Sequence, residues 1–376
     1  MRKRLRKKKK ERKMKKITIK DIARIAGVSL ATVSRALNNL PRISPATKEK
    51  ILRIASRNGY SPNPLARGLS KGKTNNIGLV LIDITNPFYS PIIQAIERKV
   101  EEEGCNLLVT NTEHSLTKEE KYINSLLENR VSGLIISPIQ NPQRYLELLK
   151  KRKIPAVFLC PPSEVKCDCV DVDNIKGAYD AVNHLIRLGH KRIAYISRGL
   201  RHRHPACQRF LGYRNALRDN NLPFSDELVV ETITGQGKIE EGYQAAFKLL
   251  SNGGNPTAIF AFNDLIAIGC MRALKEKGIR VPEDIAVVGF DDIGFAQFLD
   301  VPLTTVKIPE YEMGDIAATL LFERINGERR ANNYKRICLV PELVIRKSCG
   351  SRFIHDLIPD FASHRKTTES QAIKHR

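Results

Sequence analysis

Long apolar runs are missing from this chain of 376 residues: no stretch of about eighteen apolar residues occurs, which excludes a transmembrane helix. The N-terminus lacks the apolar segment of a secretory signal, so the expected location is the cytoplasm. No G-x-S-x-G elbow, Walker A loop or G-x-G-x-x-G fingerprint stands at a strand end, which argues against an α/β enzyme of those types. Paired cysteines are missing too: the eight are scattered at 105, 160, 167, 169, 207, 270, 338 and 349. Only Cys167 and Cys169 are close, and C-x-C without a second pair or a nearby His is poor zinc spacing. Free thiols are expected, with no metal and no cofactor. His202 and His204 beside Cys207 read as a solvated loop. Acidic residues are scarce at one end only. Residues 1–75 hold 23 Lys and Arg against 3 Asp and Glu, while the remaining 301 residues hold 40 against 37. A basic head on a nearly neutral body is the electrostatic footprint of a nucleic-acid-binding module attached to something else. A polybasic membrane anchor fits less well, because no amphipathic face or lipidation motif accompanies the charge.

The head carries the densest information. Thr18, with Asp21 three residues on, is a helix-start signal, and Ile19, Ile22, Ala23 and Ala26 then share one helical face. Gly27 and Val28 break that helix, and Ser29 caps a second one carrying Ala31 to Leu37. Two short helices across a tight Gly-containing turn predict a helix-turn-helix, whose second helix enters the major groove of DNA. Ser44-Pro45 opens a third helix with Ile51, Leu52, Ile54 and Ala55 inward and Asn58-Gly59 at its end. Asn63-Pro64 opens a segment under two turns long, too short to stay helical alone in water. DNA is the obvious partner for it. Lys71 to Asn76 reads as a linker. The run Met1 to Lys13 is low-complexity and reads as a solvated tail, with Met14 as the expected natural start.

From Ile77 the pattern changes to apolar strands alternating with helices. Strands are expected at 77–82, 106–110, 133–136, 156–159, 192–197, 258–262 and 285–290. Helices are expected at 92–103, 118–129, 143–151, 177–188, 209–220, 240–250 and 265–277. Repeated βα units with near-continuous apolar strands predict parallel sheets covered on both faces. About 270 residues of this pattern exceed one compact sheet, so two similar lobes are expected. Ligands in such sheets bind at the carboxyl ends of the strands, which directs attention to 83–89, 198–212, Asn263-Asp264 and Asp291-Asp292.

Taken together, these residues resemble the lactose-repressor/galactose-repressor family of bacterial transcription regulators, from about Ile17 to about Ser348. The head matches through IKDIARIAGVSLATVSRALN and NGYSPNPLARGL, the body through IGLVLIDITNPFY, HLIRLGHKRIAYI, FNDLIAIGCMRAL, VPEDIAVVGFDD and PLTTVKIP. The resemblance implies an α/β architecture: a helix-turn-helix head (17–62), a hinge helix and linker (63–76) and a two-lobed periplasmic-binding-protein-like body with three crossovers (77–348); the basic tail (1–16) and the C-terminal tail (349–376) lie outside it, and both read as disordered. It implies a homodimer, or a tetramer, on a near-palindromic double-stranded operator, a small-molecule effector of carbohydrate type, and no membrane partner. Leu30, Ala31 and Arg35 match base-reading positions. Arg35 can donate a bidentate pair to guanine, with a phosphate contact as the alternative. Thr18, Ser29, Thr32 and Ser34 read as caps or phosphate contacts. In the hinge, Asn63, Ala66 and Leu69 fall on DNA, with Leu69 as a minor-groove wedge.

In the body the resemblance assigns Asn86, Phe88, Arg209, Asn263, Asp264 and Asp291 to the effector. Each has an ordinary alternative: Asn86 as a turn residue, Arg209 paired with a surface acid, Asp264 as the cap of the helix it opens. One departure stands out. Family members often carry an aromatic before the helix at Glu240, where this chain has Thr234-Gly235-Gln236-Gly237-Lys238. Arg201-His202-Arg203-His204 can instead favour a phosphorylated or acidic ligand. A transport-type solute receptor is the rival reading for the body alone. The mechanism implied is linkage, with effector and operator altering each other's affinity by one factor.

Overall fold

The computed structural model describes residues 17–37, 39, 41–60, 74–162, 164–199, 204–329 and 333–351. The chain divides into two compact units, residues 1–74 and 75–376. In the first, α1 (Ile19–Ala26), α2 (Leu30–Leu37) and α3 (Pro45–Arg57) close around Ile22, Ala26, Val33, Ala36 and Ile51. Thr18 caps α1 in a box: its backbone N–H donates to Asp21 Oδ2 at 3.0 Å, and the Asp21 N–H donates back to Thr18 Oγ1 at 3.4 Å. Gly27 ends α1 with φ of 67°, left-handed backbone that favours glycine, and the Val28 N–H closes onto the Ala23 carbonyl at 3.2 Å. Ser29 Oγ accepts from the Thr32 N–H at 3.1 Å, and Ser44 Oγ from the Thr47 N–H at 3.2 Å. Leu52 is 43% exposed rather than inward. Ile51 and Ala55 are buried on that side of α3 and Ile54 packs beside them, whereas Leu52 falls a helical step outside their stripe.

The second unit has two lobes. In the first, β1 (Asn76–Leu81), β2 (Asn106–Asn111), β3 (Gly133–Ile136), β4 (Ala156–Leu159), β5 (Asp168–Val172) and a late strand at Arg336–Leu339 form one parallel sheet. In the second, strands at Ile193–Ser197, Val229–Glu231, Ala258–Ala261 and Ala286–Val288 form a parallel sheet of four. Helices cover both, and the chain passes between lobes at residues 172–174, 307–310 and 339–342. One apolar core runs across both sheets, from Ile77 and Leu79 to Tyr195 and Phe260.

Several elements depart from the sequence expectation, among them the helix Glu310–Ile325 and the short strands at Val229–Glu231, Thr305–Lys307, Arg336–Leu339 and Glu342–Val344, none of which was expected. Strand β5 carries two aspartates that break its apolar run. Both are neutralised from afar, Asp168 by Arg324 (2.6 Å) and Arg329 (3.0 Å), Asp171 by Arg336 (2.8 Å). The helix expected from Arg209 begins five residues earlier, at His204. The body also extends past Ser348: Cys349 is fully buried, and its thiol lies 3.4 Å from His184 Nε2. The tail outside the described residues therefore starts at 352, as the turn at Lys347–Cys349 packs into the fold. No helix among the described residues is long and apolar enough to cross a membrane.

Candidate functional site

Two candidate sites follow, one in each unit. In the head, Val33 and Ala36 point α2 into the core, which turns Leu30, Ala31 and Arg35 outward as exposed side chains. These are the three positions expected to read bases. Thr18 and Ser29 are exposed, with their hydroxyls engaged as helix caps, so capping is the role the geometry displays. Thr32 Oγ1 joins the Ser29 cap at 2.8 Å, and Ser34 is half-buried. Asn63, Ala66 and Leu69 lie outside the described residues, as do the basic run 1–16, Arg201 to Arg203, and the tail from 352.

In the body, a cavity of about 110 Å³ opens at the carboxyl ends of strands from both sheets. Asn86, Phe88, Arg209, Asn263 and Asp291 all line it. Arg209 is its anchor. It is buried on the helix beginning at His204, donates Nε to Asn174 Oδ1 at 2.8 Å, and donates Nη1 to the Phe262 carbonyl at 2.5 Å and to Asp291 Oδ1 at 3.4 Å. Its guanidinium lies 3.6 Å from the Phe290 ring centroid. Arg209 therefore pairs with a buried acid, not a surface one. Burial lowers the Arg209 pKa and pushes the Asp291 carboxyl up to about 6, while each charge favours the other's ionised form. With Nε and Nη1 committed, Arg209 Nη2 and Asp291 Oδ2 remain as a donor and an acceptor for a ligand. A hydroxyl both donates and accepts, so the pair suits a polyol. Asn86 Oδ1 accepts from the Phe88 N–H at 3.1 Å, so it serves the turn and the wall at once.

Asp264 is not part of this wall, and it does not cap its helix either. The cap is Asn263, whose Oδ1 accepts from the Ile266 N–H at 2.9 Å while Nδ2 donates to the Gly237 carbonyl at 3.1 Å. Asp264 is fully buried, accepting from the Ile293 N–H at 2.9 Å and the Thr305 hydroxyl at 2.5 Å. Burial and the nearby Asp291 charge hold its carboxyl well above the ordinary range. It ties the segment that follows Asp291, through Ile293, to the strand at Thr305–Lys307. A Cβ on Gly289 would stand 2.2 Å from its Oδ1, so this approach requires glycine.

Sequence reasoning missed Asn174 and Phe262 on the cavity wall, while Tyr89 and Arg198, also on it, fell within the strand-end segments 83–89 and 198–212 without being assigned to the effector. Tyr89 bonds Ser137 at 3.1 Å, and burial pushes its hydroxyl up to about 12. Asn174, two residues past the unread strand β5, could have been found had that strand been recognised. The loop without an aromatic is organised by Glu241, which accepts from the N–H groups of Thr234 (2.8 Å), Gly237 (2.6 Å) and Lys238 (3.3 Å). Burial alone would raise its pKa, and these bonds outweigh burial and lower it.

Residues 18–63 match the family described as bacterial regulatory proteins, lacI family, and residues 182–349 match the periplasmic binding protein-like domain. The HTH-type transcriptional regulator DegA of Bacillus subtilis (strain 168) is 36% identical over 337 residues, covering 89% of this chain and 98% of DegA. The Lac repressor dimer bound to operator and the anti-inducer ONPF superimposes with a TM-score of 0.79 at 30% identity, covering 89% of this chain and 99% of that one. A complex of the transcriptional regulator CelR with cellobiose gives 0.67 at 31% identity, over 88% and 99%.

Proposed function

The chain belongs to the lacI family of bacterial regulatory proteins, and from that premise we propose which residues perform its two tasks. As a member of the family it is a sequence-specific DNA-binding transcriptional regulator whose operator affinity a small molecule controls allosterically. In this reading it is a repressor, and Arg35 reads a guanine while Leu30 and Ala31 select by shape and thymine-methyl contact. The effector is a carbohydrate held by Arg209, Asp291, Asn86 and Asn263, with its apolar face on Phe88. The observation that carries the effector site is the buried Arg209–Asp291 pair, which leaves one donor and one acceptor to the cavity.

A second copy of the chain completes the operator-binding form. Phe298, 80% exposed, stands with Phe295, Met271 and Leu299 on the second lobe, an apolar face that a homodimer would cover. Asn63, Ala66 and Leu69 belong to the segment that folds on DNA in this reading. Effector binding favours one closure of the lobes, and that closure sets whether the segment can fold, so each ligand changes the other's affinity equally. The test is fluorescence anisotropy on labelled DNA from upstream of the protein's own gene. Arg35→Ala is expected to weaken binding roughly 5- to 150-fold at one base pair. Equal loss on every sequence would demote Arg35 to a phosphate contact.

A further inference from the structure

Arg209 Nε is held by a residue of the hinge itself. Asn174 follows Asp173, the middle residue of the 172–174 crossover, and its side chain is buried. Its Oδ1 accepts from Arg209 Nε at 2.8 Å, and its Nδ2 donates to the Val172 carbonyl at 3.1 Å and to Gln208 Oε1 at 3.2 Å. Chemistry fixes which way the amide points. Arg209 Nε only donates and the Val172 carbonyl only accepts, so a flipped amide would break both bonds. Both amide N–H groups are therefore used, and the oxygen serves Arg209.

These bonds span the hinge. Val172 ends β5 in the first lobe and Asn174 opens the helix Asn174–Arg187, so Asp173 alone separates the carbonyl from the amide that bonds it. Asp173 has φ of -73° and ψ of 75°, close to an inverse γ-turn. Its N–H donates to the Leu339 carbonyl, in another crossover, at 2.9 Å. A rotation of one lobe against the other that changes these torsions moves the Val172 carbonyl relative to the Asn174 amide. The other end of the guanidinium is tied in the same way. Nη1 meets Asp291, whose N–H donates at 2.8 Å to the Val306 carbonyl, one residue before the 307–310 crossover. Arg209 thus stands between two crossovers.

Resting on the effector reading above, we infer that Asn174 is the positioning residue that passes the angle between the lobes to Arg209, so that lobe closure and the grip on the effector control each other. A buried amide with its polar atoms bonded has few other settings, because swinging it away strands a polar group. When the hinge turns at Asp173, the amide either loses Val172 or follows it, and following it carries Arg209 Nε. The carboxylate variant separates the two roles. Asn174→Asp keeps an acceptor for Arg209 Nε and has no donor for the Val172 carbonyl, while Gln208 can turn its own amide to donate. The hold on Arg209 remains and the hinge link is cut.

The chain contains no tryptophan, so Phe88→Trp places a single indole in the cavity wall, where opening of the lobes hydrates it. In that background, with no small molecule added, Asn174→Asp is expected to raise acrylamide quenching of the full chain about twofold or more. Tyr213→Phe removes a buried hydrogen bond to the Ile193 carbonyl within the second lobe. It controls for lost stability alone and is expected to leave the quenching where it was. A second arm keeps Phe88 and measures operator binding by anisotropy at saturating glucose, ribose or cellobiose. A probe that shifts the wild-type operator constant is expected to bind Asn174→Asp yet shift its operator constant severalfold less. In Asn174→Ala, which also releases Arg209 Nε, affinity for the probe itself is expected to fall. Unchanged quenching in Asn174→Asp overturns the inference, as does an equal rise in Tyr213→Phe or an operator shift of wild-type size. Probes that all leave the wild-type operator constant unmoved count against the effector reading, and the indole arm then decides the hinge link alone.

Discussion

The head and the body arrange their functional side chains in opposite ways. In the head, the helix caps and the outward face of the second helix all lie between Thr18 and Arg35, each on the helix that its own sequence starts. In the body, Arg209 and Asp291 are 82 residues apart and meet only after a second sheet has formed between them. Head residues can therefore be changed with little effect on folding, because exposed Leu30, Ala31 and Arg35 contribute nothing to the core. Body residues cannot. The groups left for a ligand belong to the same buried pair that holds three segments together.

The sharpest way to break this comparison is Arg209→Ala. It leaves Asp291 as a buried carboxylate without its cation, and a loss of about 3–5 kcal/mol of body stability is expected in urea denaturation. A wild-type midpoint would show that the pair carries no structural weight. Next in size is Arg35→Ala, expected to cost roughly 1–3 kcal/mol of operator affinity. The melting of the body should not move; if it does, head and body are not separable in the sense drawn here.

A pH titration sharpens the contrast further. Burial, against the pull of Arg209, holds Asp291 at about 6 in the fold, above its ordinary value of 3.8. The folded chain therefore binds that proton more tightly than the unfolded one. Its contribution to stability is fully present below the ordinary value and is lost as pH rises through about 6. The stability of wild type relative to Asp291→Asn should accordingly decline between about pH 4 and pH 6. A flat difference over that window would mean that burial does not govern the carboxyl. The smallest effect expected is that of Thr18→Ala, about 1 kcal/mol of head stability through the lost cap. Differential melting of the head would show it, and an unchanged head would leave phosphate contact as the role of Thr18.

The same contrast explains how much could be read before the fold was seen. Caps at Thr18, Ser29 and Ser44, the Gly27 break and the apolar strands are local signals, and the structure places them where they were expected. The cavity was legible only through the resemblance and the rule that ligands sit at strand ends. Strand β5 was hidden because Asp168 and Asp171 interrupt its apolar pattern, and their cations come from residues 324–336. The helix Glu310–Ile325 gave no one-sided pattern, since apolar side chains bury on several of its faces. Asp264 was misjudged for the same reason: its partners lie 29 and 41 residues away, beyond any helical or capping signal. Arg198 fell in the strand-end segment 198–212 that the sequence singled out, but its place beside the Phe262 ring needed the fold.

The most direct measurement is the operator dissociation constant of wild type and Asp291→Asn, taken side by side on labelled promoter DNA across a panel of monosaccharides and their phosphates. A member of the panel is expected to shift the wild-type constant by roughly 5- to 150-fold and to leave that of Asp291→Asn unmoved. A shift of equal size in both proteins would place the controlling molecule somewhere other than the cavity of Arg209 and Asp291.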